Sequence, residues 1–118
     1  MTEVERIKAL RPPSVDDPIL TEIVRRIIEL YHPERIYLFG STARREAGAD
    51  SDYDLLVVVS DDTPRELRQT DEIYRVLWGI RASIDVLVWT REEFHKQLPL
   101  KASLPSAILR EGKLLYAA

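Results

Sequence analysis

Asp52 and Asp54 are two residues apart at the start of the apolar run Tyr53 to Ser60. If that run is a strand, both carboxylates lie on one sheet face, roughly 7 Å apart at the backbone. Two hard cations about 3.5–4 Å apart serve phosphoryl and nucleotidyl transfer in known enzymes. Mg²⁺ prefers oxygen ligands and usually shares them between carboxylates and substrate phosphates. The pair is therefore a candidate site for hard divalent cations, such as Mg²⁺, that act on phosphates.

Asp85 is a third acid, inside the apolar run Ser83 to Trp89. An isolated ionised carboxylate is costly to bury in such a strand. If the two acid-bearing strands are neighbours, Asp85 can join Asp52 and Asp54, and three carboxylates repel one another unless cations or protons neutralise them. Asp85 is then also the candidate general base for an attacking hydroxyl.

Gly40 and Ser41 lie where a predicted strand gives way to a helix. Glycine allows a close approach of backbone to ligand, and a helix N-terminus offers unpaired N–H groups to an anion. Ser41 adds a hydroxyl, and Arg44, one turn on, can present a fork of donors to phosphates. The three residues are candidates for binding a nucleoside triphosphate.

Other interpretations of these residues exist. An isolated Asp-x-Asp pair is also common turn chemistry, and Asp85 alone could be a strand-end acid paired with Arg81. Trp78 and Trp89 are expected to be packing residues, and His95 a surface residue. The apolar residues near the C-terminus are expected to be core, although they could supply a docking surface; they are Leu98, Leu100, Leu104, Ile108 and Leu109.

The elements that position the site alternate between helix and strand, which predicts an α/β or α+β domain with three or four strands and helices on at least one face. Asp17 and Pro18 predict a helix start, His32-Pro33 its end, and Thr90 with Glu93 a capping box. Strands are predicted over Arg35–Phe39, Tyr53–Ser60, Ser83–Trp89 and Lys113–Tyr116, and helices over Pro18–Tyr31, a short segment from Ser41, Pro64–Trp78, a segment after Thr90, and Leu104–Arg110.

The composition restricts the class of protein. The 118 residues are 45% hydrophobic, which suits one domain with a real core. No apolar run approaches the ~18 residues of a membrane span, and cysteine is absent, which excludes a thiolate metal site. The net charge of −3 gives no strong sign of nucleic-acid binding. These features lead us to expect a cytoplasmic protein.

The stretch Gly40 to Val59 resembles the signature of the DNA polymerase β-like nucleotidyltransferase superfamily. That signature is Gly-Ser, ten residues, Asp-x-Asp and a third acid on a later strand; here the ten are Thr42 to Ser51 and the third acid is Asp85. Over residues 1–118 the chain is similar to the minimal nucleotidyltransferases, or MNT proteins, including the closing Ile108 to Tyr116. The resemblance implies a mixed sheet like the polymerase β palm and a single minimal domain.

The resemblance also implies roles. Gly40 and Ser41 would hold the β- and γ-phosphates, and Asp52, Asp54 and Asp85 would bind two Mg²⁺ ions. The reaction would move a nucleoside monophosphate, AMP from ATP as the family-based expectation, and release pyrophosphate. Many MNT proteins are antitoxins beside a HEPN ribonuclease toxin, and some add AMP to a tyrosine of that toxin. The alternative is a binding module that silences a partner without catalysis.

Overall fold

A computed structural model of the chain describes residues 17–40 and 52–118. The predicted helix from Ser41, together with Ser41 and Arg44 themselves, lies outside the described residues. Among the described residues, no helix has both the length and the apolar character to cross a membrane. The elements are α1 (Pro18–Tyr31), β1 (Arg35–Phe39), β2 (Asp52–Val59), α2 (Arg65–Arg68), α3 (Thr70–Val76), β3 (Ser83–Thr90), α4 (Arg91–Gln97), α5 (Leu104–Glu111) and β4 (Lys113–Ala117).

The four strands within residues 17–40 and 52–118 form one mixed sheet in the order β3-β2-β1-β4. Strand β1 pairs antiparallel with both β2 and β4, while β2 and β3 run parallel. The sequence alone could not give this order. The expected fold class, a small mixed sheet flanked by helices, is confirmed.

One face of the sheet, which we name the covered face, bears Tyr53, Leu55 and Val57 of β2 and is fully packed. Helix α1 covers it because its apolar residues recur at helical spacing. The Asp17 carboxylate caps this helix by accepting a hydrogen bond from the Leu20 N–H at 3.1 Å. The same cluster includes Leu20, Ile23, Ile27, Tyr31, Ile36, Leu38, Val59, Ile73, Leu77, Val86 and Leu115.

Side chains along each strand alternate between the covered face and the opposite one, which we name the open face. The open face bears Asp54, Leu56 and Asp85. Helices α4 and α5 cover part of it, around Leu56 and Phe94. Toward the starts of β2 and β3 the cover ends, and Leu87 is 40% exposed. The described chain therefore leaves the acid-bearing end of this face accessible.

The predicted long helix from Pro64 to Trp78 is wrong as a single element. The chain is extended at Gln69 (ψ 146°), which separates α2 from α3. Helix α2 buries no residue, whereas Ile73 in α3 and the following Leu77 are buried in the core. Packing of these two side chains thus overrides the local helical preference across Gln69.

Side-chain predictions had mixed outcomes. Tyr53 is buried, His95 is exposed, and Trp89 packs against the open-face cluster, as expected. Trp78 is 85% exposed, so its predicted packing role is wrong: it follows Leu77, which takes the inward position.

The apolar residues near the C-terminus, which were predicted to be core, are only partly so. Ile108 is buried and Leu98 and Leu104 are partly buried, whereas Leu100 and Leu109 are exposed.

Candidate functional site

The parallel pairing of β2 and β3 places two of the predicted acids side by side. Asp54 is the register partner of Asp85, and Asp52 is the partner of Ser83. Partners in a parallel ladder point to the same face, and residues two apart on a strand do so as well. All three carboxylates therefore project from the open face, Asp52 and Asp85 exposed and Asp54 half-buried.

The electrostatics of this arrangement disfavour the ionised form of the Asp54 carboxyl group. Burial raises the pKa of the Asp54 carboxyl above its ordinary value, and the charges of Asp85 and Asp52, together with a hydrogen bond to Asp85, raise it further. Like charges close together disfavour the ionised form. The described residues of the site therefore favour the approach of a positive charge.

The sequence left open a pairing of Asp85 with Arg81. No salt bridge among residues 17–40 and 52–118 joins these two side chains. The neighbour that interacts with Asp85 is the Asp54 carboxyl group. The arrangement therefore favours a paired acid over a strand-end ion pair.

Gly40 adjoins the acids at the end of β1. Phe39 is the register partner of Asp54, and Gly40 next to it has φ +75°. A Cβ built at Gly40 would overlap an Asp54 carboxylate oxygen and approach Asp54 Cγ to 3.3 Å. Only glycine fits this left-handed position so close to Asp54.

A small cavity of about 190 Å³ continues from Gly40 away from the acids, lined by Phe39, Leu104, Ala107 and Glu111 among others. The row across the open face is therefore Asp85, Asp54, Phe39 and then this cavity. Sequence reasoning assigned Phe39 only to a strand. No motif could have identified its position beside Asp54, because that position depends on the pairing of β1 with β2.

The acids are not arranged as a ready-made three-ligand site. Within the part of the chain that the structure describes, no group of three His, Cys, Asp or Glu side chains could hold a metal ion. Asp54 and Asp85 are adjacent, and Asp52 is one alternation away on the same face. Mg²⁺ commonly takes one or two carboxylates and completes its shell with water and substrate phosphates. The donors are all hard oxygens and the local charge is negative, so the residues fit such an ion.

Residues 20–115 match the model of a family described as a nucleotidyltransferase domain. No curated protein matches the chain in sequence. The family match spans both acid-bearing strands and Gly40. It confirms the nucleotidyltransferase resemblance that the sequence signature indicated.

Solved structures share the fold. A chain in the crystal structure of a toxin–antitoxin with AMP-PNP has a TM-score of 0.56 at 20% identity, covering 83% of this chain and 73% of that one. A chain from a mutant of the toxin–antitoxin MntA–HpeT has a TM-score of 0.55 at 19% identity, covering 83% of this chain and 72% of that one. At these identities the likeness establishes the fold alone.

Proposed function

The chain belongs to the nucleotidyltransferase domain family, and from that premise we propose that it moves AMP from ATP onto a protein hydroxyl with the help of Mg²⁺. The single observation that carries the proposal is the register of β2 with β3, which sets Asp54 beside Asp85 on an accessible face. Two adjacent carboxylates that form no salt bridge within residues 17–40 and 52–118 suit the binding of cations together with phosphates.

We propose Asp52, Asp54 and Asp85 as the residues that hold the two ions. The raised pKa of Asp54 supports this assignment, because a nearby cation would relieve the repulsion that disfavours its charge. When bound, the ions would neutralise charge on the phosphates. At the phosphate end, Gly40 and Ser41 are proposed to bind the β- and γ-phosphates, with Arg44 as a further donor.

Asp85 is the proposed general base. Its exposed carboxylate would take the proton of the acceptor hydroxyl. The acceptor oxygen then forms a bond to the α-phosphorus, and the bond from that phosphorus to the bridging oxygen breaks. The leaving group is pyrophosphate, which Gly40 and Ser41 are proposed to hold.

The proposed acceptor is a tyrosine of a HEPN-domain toxin, with the chain as its antitoxin. The resemblance to MNT proteins supports this choice, and the toxin–antitoxin neighbour with AMP-PNP is compatible with it. An ATP-dependent reaction on such a toxin supports the cytoplasm as the compartment. AMP, the tyrosine and the partner rest on this resemblance, whereas the acid pair rests on the register.

The test is transfer of labelled AMP to a HEPN-domain protein, sought among the proteins encoded beside the chain's gene. Asp54→Ala should reduce transfer at least about 100-fold, because the lost group acts on the transition-state charge. Asp62→Ala is the matched control, since Asp62 is an exposed acid just beyond the other end of β2, and it should transfer like the wild type. Equal transfer by wild type and Asp54→Ala would refute the assignment of the acids.

A second candidate function is a binding module that silences a toxin by occupying its surface. The exposed side chains of Trp78, Leu100 and Leu109 favour it, because exposed apolar residues are common in docking surfaces. The discriminating variant replaces all three proposed metal-binding aspartates with alanine. If that variant folds and still protects cells from the partner, binding is sufficient; if protection is lost, catalysis is needed.

A further inference from the structure

Tyr53 lies between the two acids of β2 and points to the opposite side of the sheet. Successive side chains of a strand alternate between its faces, so Asp52 and Asp54 project from the open face while Tyr53 enters the covered face. The tyrosine is only 1% exposed there. Its contacts therefore act on the same stretch of backbone that presents the acids.

The start of β2 has a neighbouring strand on one side only, within residues 17–40 and 52–118. The pairing of β2 with β1 ends at Asp54, whose partner is Phe39. Asp52 and Tyr53 lie beyond that pair and are matched only with residues of β3. A strand end that is paired on one side opens more readily than the middle of a sheet.

Electrostatic repulsion acts on this same end of the strand. The three acids share the open face, and the charges of Asp85 and Asp52 raise the pKa of Asp54. Like charges at such close range push the carboxylates apart. A stretch of backbone with one neighbouring strand would yield first, so the position of Asp52 and Asp54 needs a further restraint.

A buried hydrogen bond supplies that restraint from the covered face. The Tyr53 hydroxyl donates to one carboxylate oxygen of Asp17 at 2.7 Å. The other oxygen of Asp17 accepts from the Leu20 N–H at 3.1 Å and caps α1. Asp17 and Leu20 are both buried, so the bond lies away from water and ends on a packed helix. One carboxylate thus joins the first turn of α1 to the residue between the two acids.

We propose that Tyr53 and Asp17 are positioning residues, which hold the start of β2 in the geometry that Asp52 and Asp54 need to bind divalent cations. Groups that bind an ion must be held within about 0.5 Å of their working geometry by side chains that are themselves locked in place. Tyr53 acts through the backbone, because it lies on the face opposite to the acids. The proposal rests on the proposed function for the role of the ions, but ion binding can be measured without transfer.

Two variants break this hydrogen bond from its opposite ends. Tyr53→Phe removes the donor and keeps the aromatic ring in the core. Asp17→Ser removes the acceptor and keeps an N-cap for α1, because serine caps helices about as well as aspartate. Tyr31→Phe is the matched control, since it makes the same change on the same face at a hydroxyl that has no hydrogen-bond partner among the described residues.

The first experiment measures ion binding by titration with Mn²⁺ alone, followed by the paramagnetic broadening of NMR signals around the acids. Tyr53→Phe and Asp17→Ser should each raise the dissociation constant about 3- to 10-fold, less than the loss of about 10- to 100-fold that is typical for a residue bonded directly to a metal ligand. Tyr31→Phe should bind like the wild type. Wild-type affinity in both of the first two variants, or a change in only one of them, would overturn the proposal.

A loss of stability alone would not produce this result. The titrations are run at a temperature at which circular dichroism shows that every variant is folded, and the affinity of a folded protein does not depend on how stable it is. The second experiment therefore repeats the comparison in AMP transfer. The Mg²⁺ concentration at half-maximal rate should rise by the same factor in Tyr53→Phe and Asp17→Ser, with the KM for the acceptor protein unchanged. A raised acceptor KM with an unchanged Mg²⁺ requirement would refute the positioning role.

The outcomes for the two proposals are distinguishable. If the wild type transfers no AMP but binds Mn²⁺ more tightly than Tyr53→Phe and Asp17→Ser do, the proposed reaction fails and the positioning role stands. If the wild type transfers AMP and both variants keep its Mg²⁺ requirement and its Mn²⁺ affinity, the reaction stands and the positioning role fails.

Discussion

The two faces of the sheet differ in how completely they are packed. The covered face packs against α1 and α3, and Leu55, Val57 and Val59 are wholly buried there. On the open face, α4 and α5 reach Leu56 and Val58, and stop short of Leu87 and the acids. The acid-bearing end of the open face therefore contributes little packing to stability, and it can carry carboxylates that destabilise the fold.

The largest effect is expected for a cavity on the covered face. Leu55→Ala should lower the free energy of unfolding by about 2–5 kcal/mol, because Leu55 is completely buried. Leu87→Ala on the open face removes the same atoms from a side chain that is 40% exposed, and should cost less than about 1 kcal/mol. Urea denaturation measures both. Equal losses would show that the faces contribute alike.

The next largest effect concerns a hydrogen bond across the covered face. The Tyr53 hydroxyl donates to the Asp17 carboxylate at 2.7 Å, while the other carboxylate oxygen caps α1. Tyr53→Phe should therefore cost about 1.5–3 kcal/mol, the range for a hydrogen bond to a charged group. Thermal denaturation followed by circular dichroism checks it. A loss below about 0.5 kcal/mol would contradict a stabilising role for the hydrogen bond between Tyr53 and Asp17.

A matched tyrosine on the same face should show the opposite sign. The Tyr31 hydroxyl is buried and has no hydrogen-bond partner among the described residues. Tyr31→Phe removes that unsatisfied group, so we expect a gain of about 1 kcal/mol in the free energy of unfolding at neutral pH. A destabilised variant would show that the hydroxyl has a favourable contact.

The same variant should change the response to alkali. Burial and the charge of Glu72 raise the pKa of Tyr31 from 10.0 to about 12. A raised folded-state pKa means that stability is full below pH 10 and is lost as the pH rises toward 12, since the unfolded chain ionises first. Tyr31→Phe should lose less stability over this interval than the wild type. Parallel losses would contradict the contribution of Tyr31.

The smallest effect on stability is expected on the open face. In metal-free protein, Asp85→Asn should raise the free energy of unfolding by about 0.5–1 kcal/mol, because it removes a like charge beside Asp54. The pKa of Asp54 should fall toward its ordinary value. A raised folded-state pKa for a carboxyl makes stability fall as the pH rises through it, so the gain should be absent in acid and present at neutral pH. NMR titration of Asp54 measures this; an unchanged pKa would contradict the repulsion.

The parts of the fold that the sequence predicted are those set by local chemistry. Asp17 and Pro18 start α1, and the capping box of Thr90 and Glu93 starts α4 as expected. Gly112 ends α5 before β4. Such signals act within one turn of helix, so they can be read without knowledge of distant contacts.

The parts that the sequence did not predict depend on tertiary packing. The break at Gln69 and the exposure of Trp78 follow from the burial of Ile73 and Leu77 against α1. For the site, period-two alternation predicted the shared face of Asp52 and Asp54. Their approach to Asp85 was conditional on strand order, which only the structure gives. The roles of Ser41 and Arg44 stay predictions, since both lie outside the described residues.

Among the strands of the described residues, β3 is at an edge of the sheet, and an exposed edge can recruit foreign strands into filaments. The Tyr74 hydroxyl accepts a hydrogen bond from the Val86 N–H at 3.4 Å and so covers one of its outward backbone donors. A ring from α3 thus interrupts the row of donors along which an added strand would grow. Loss of that hydroxyl would make the protein more prone to ordered aggregation while leaving its folded core intact.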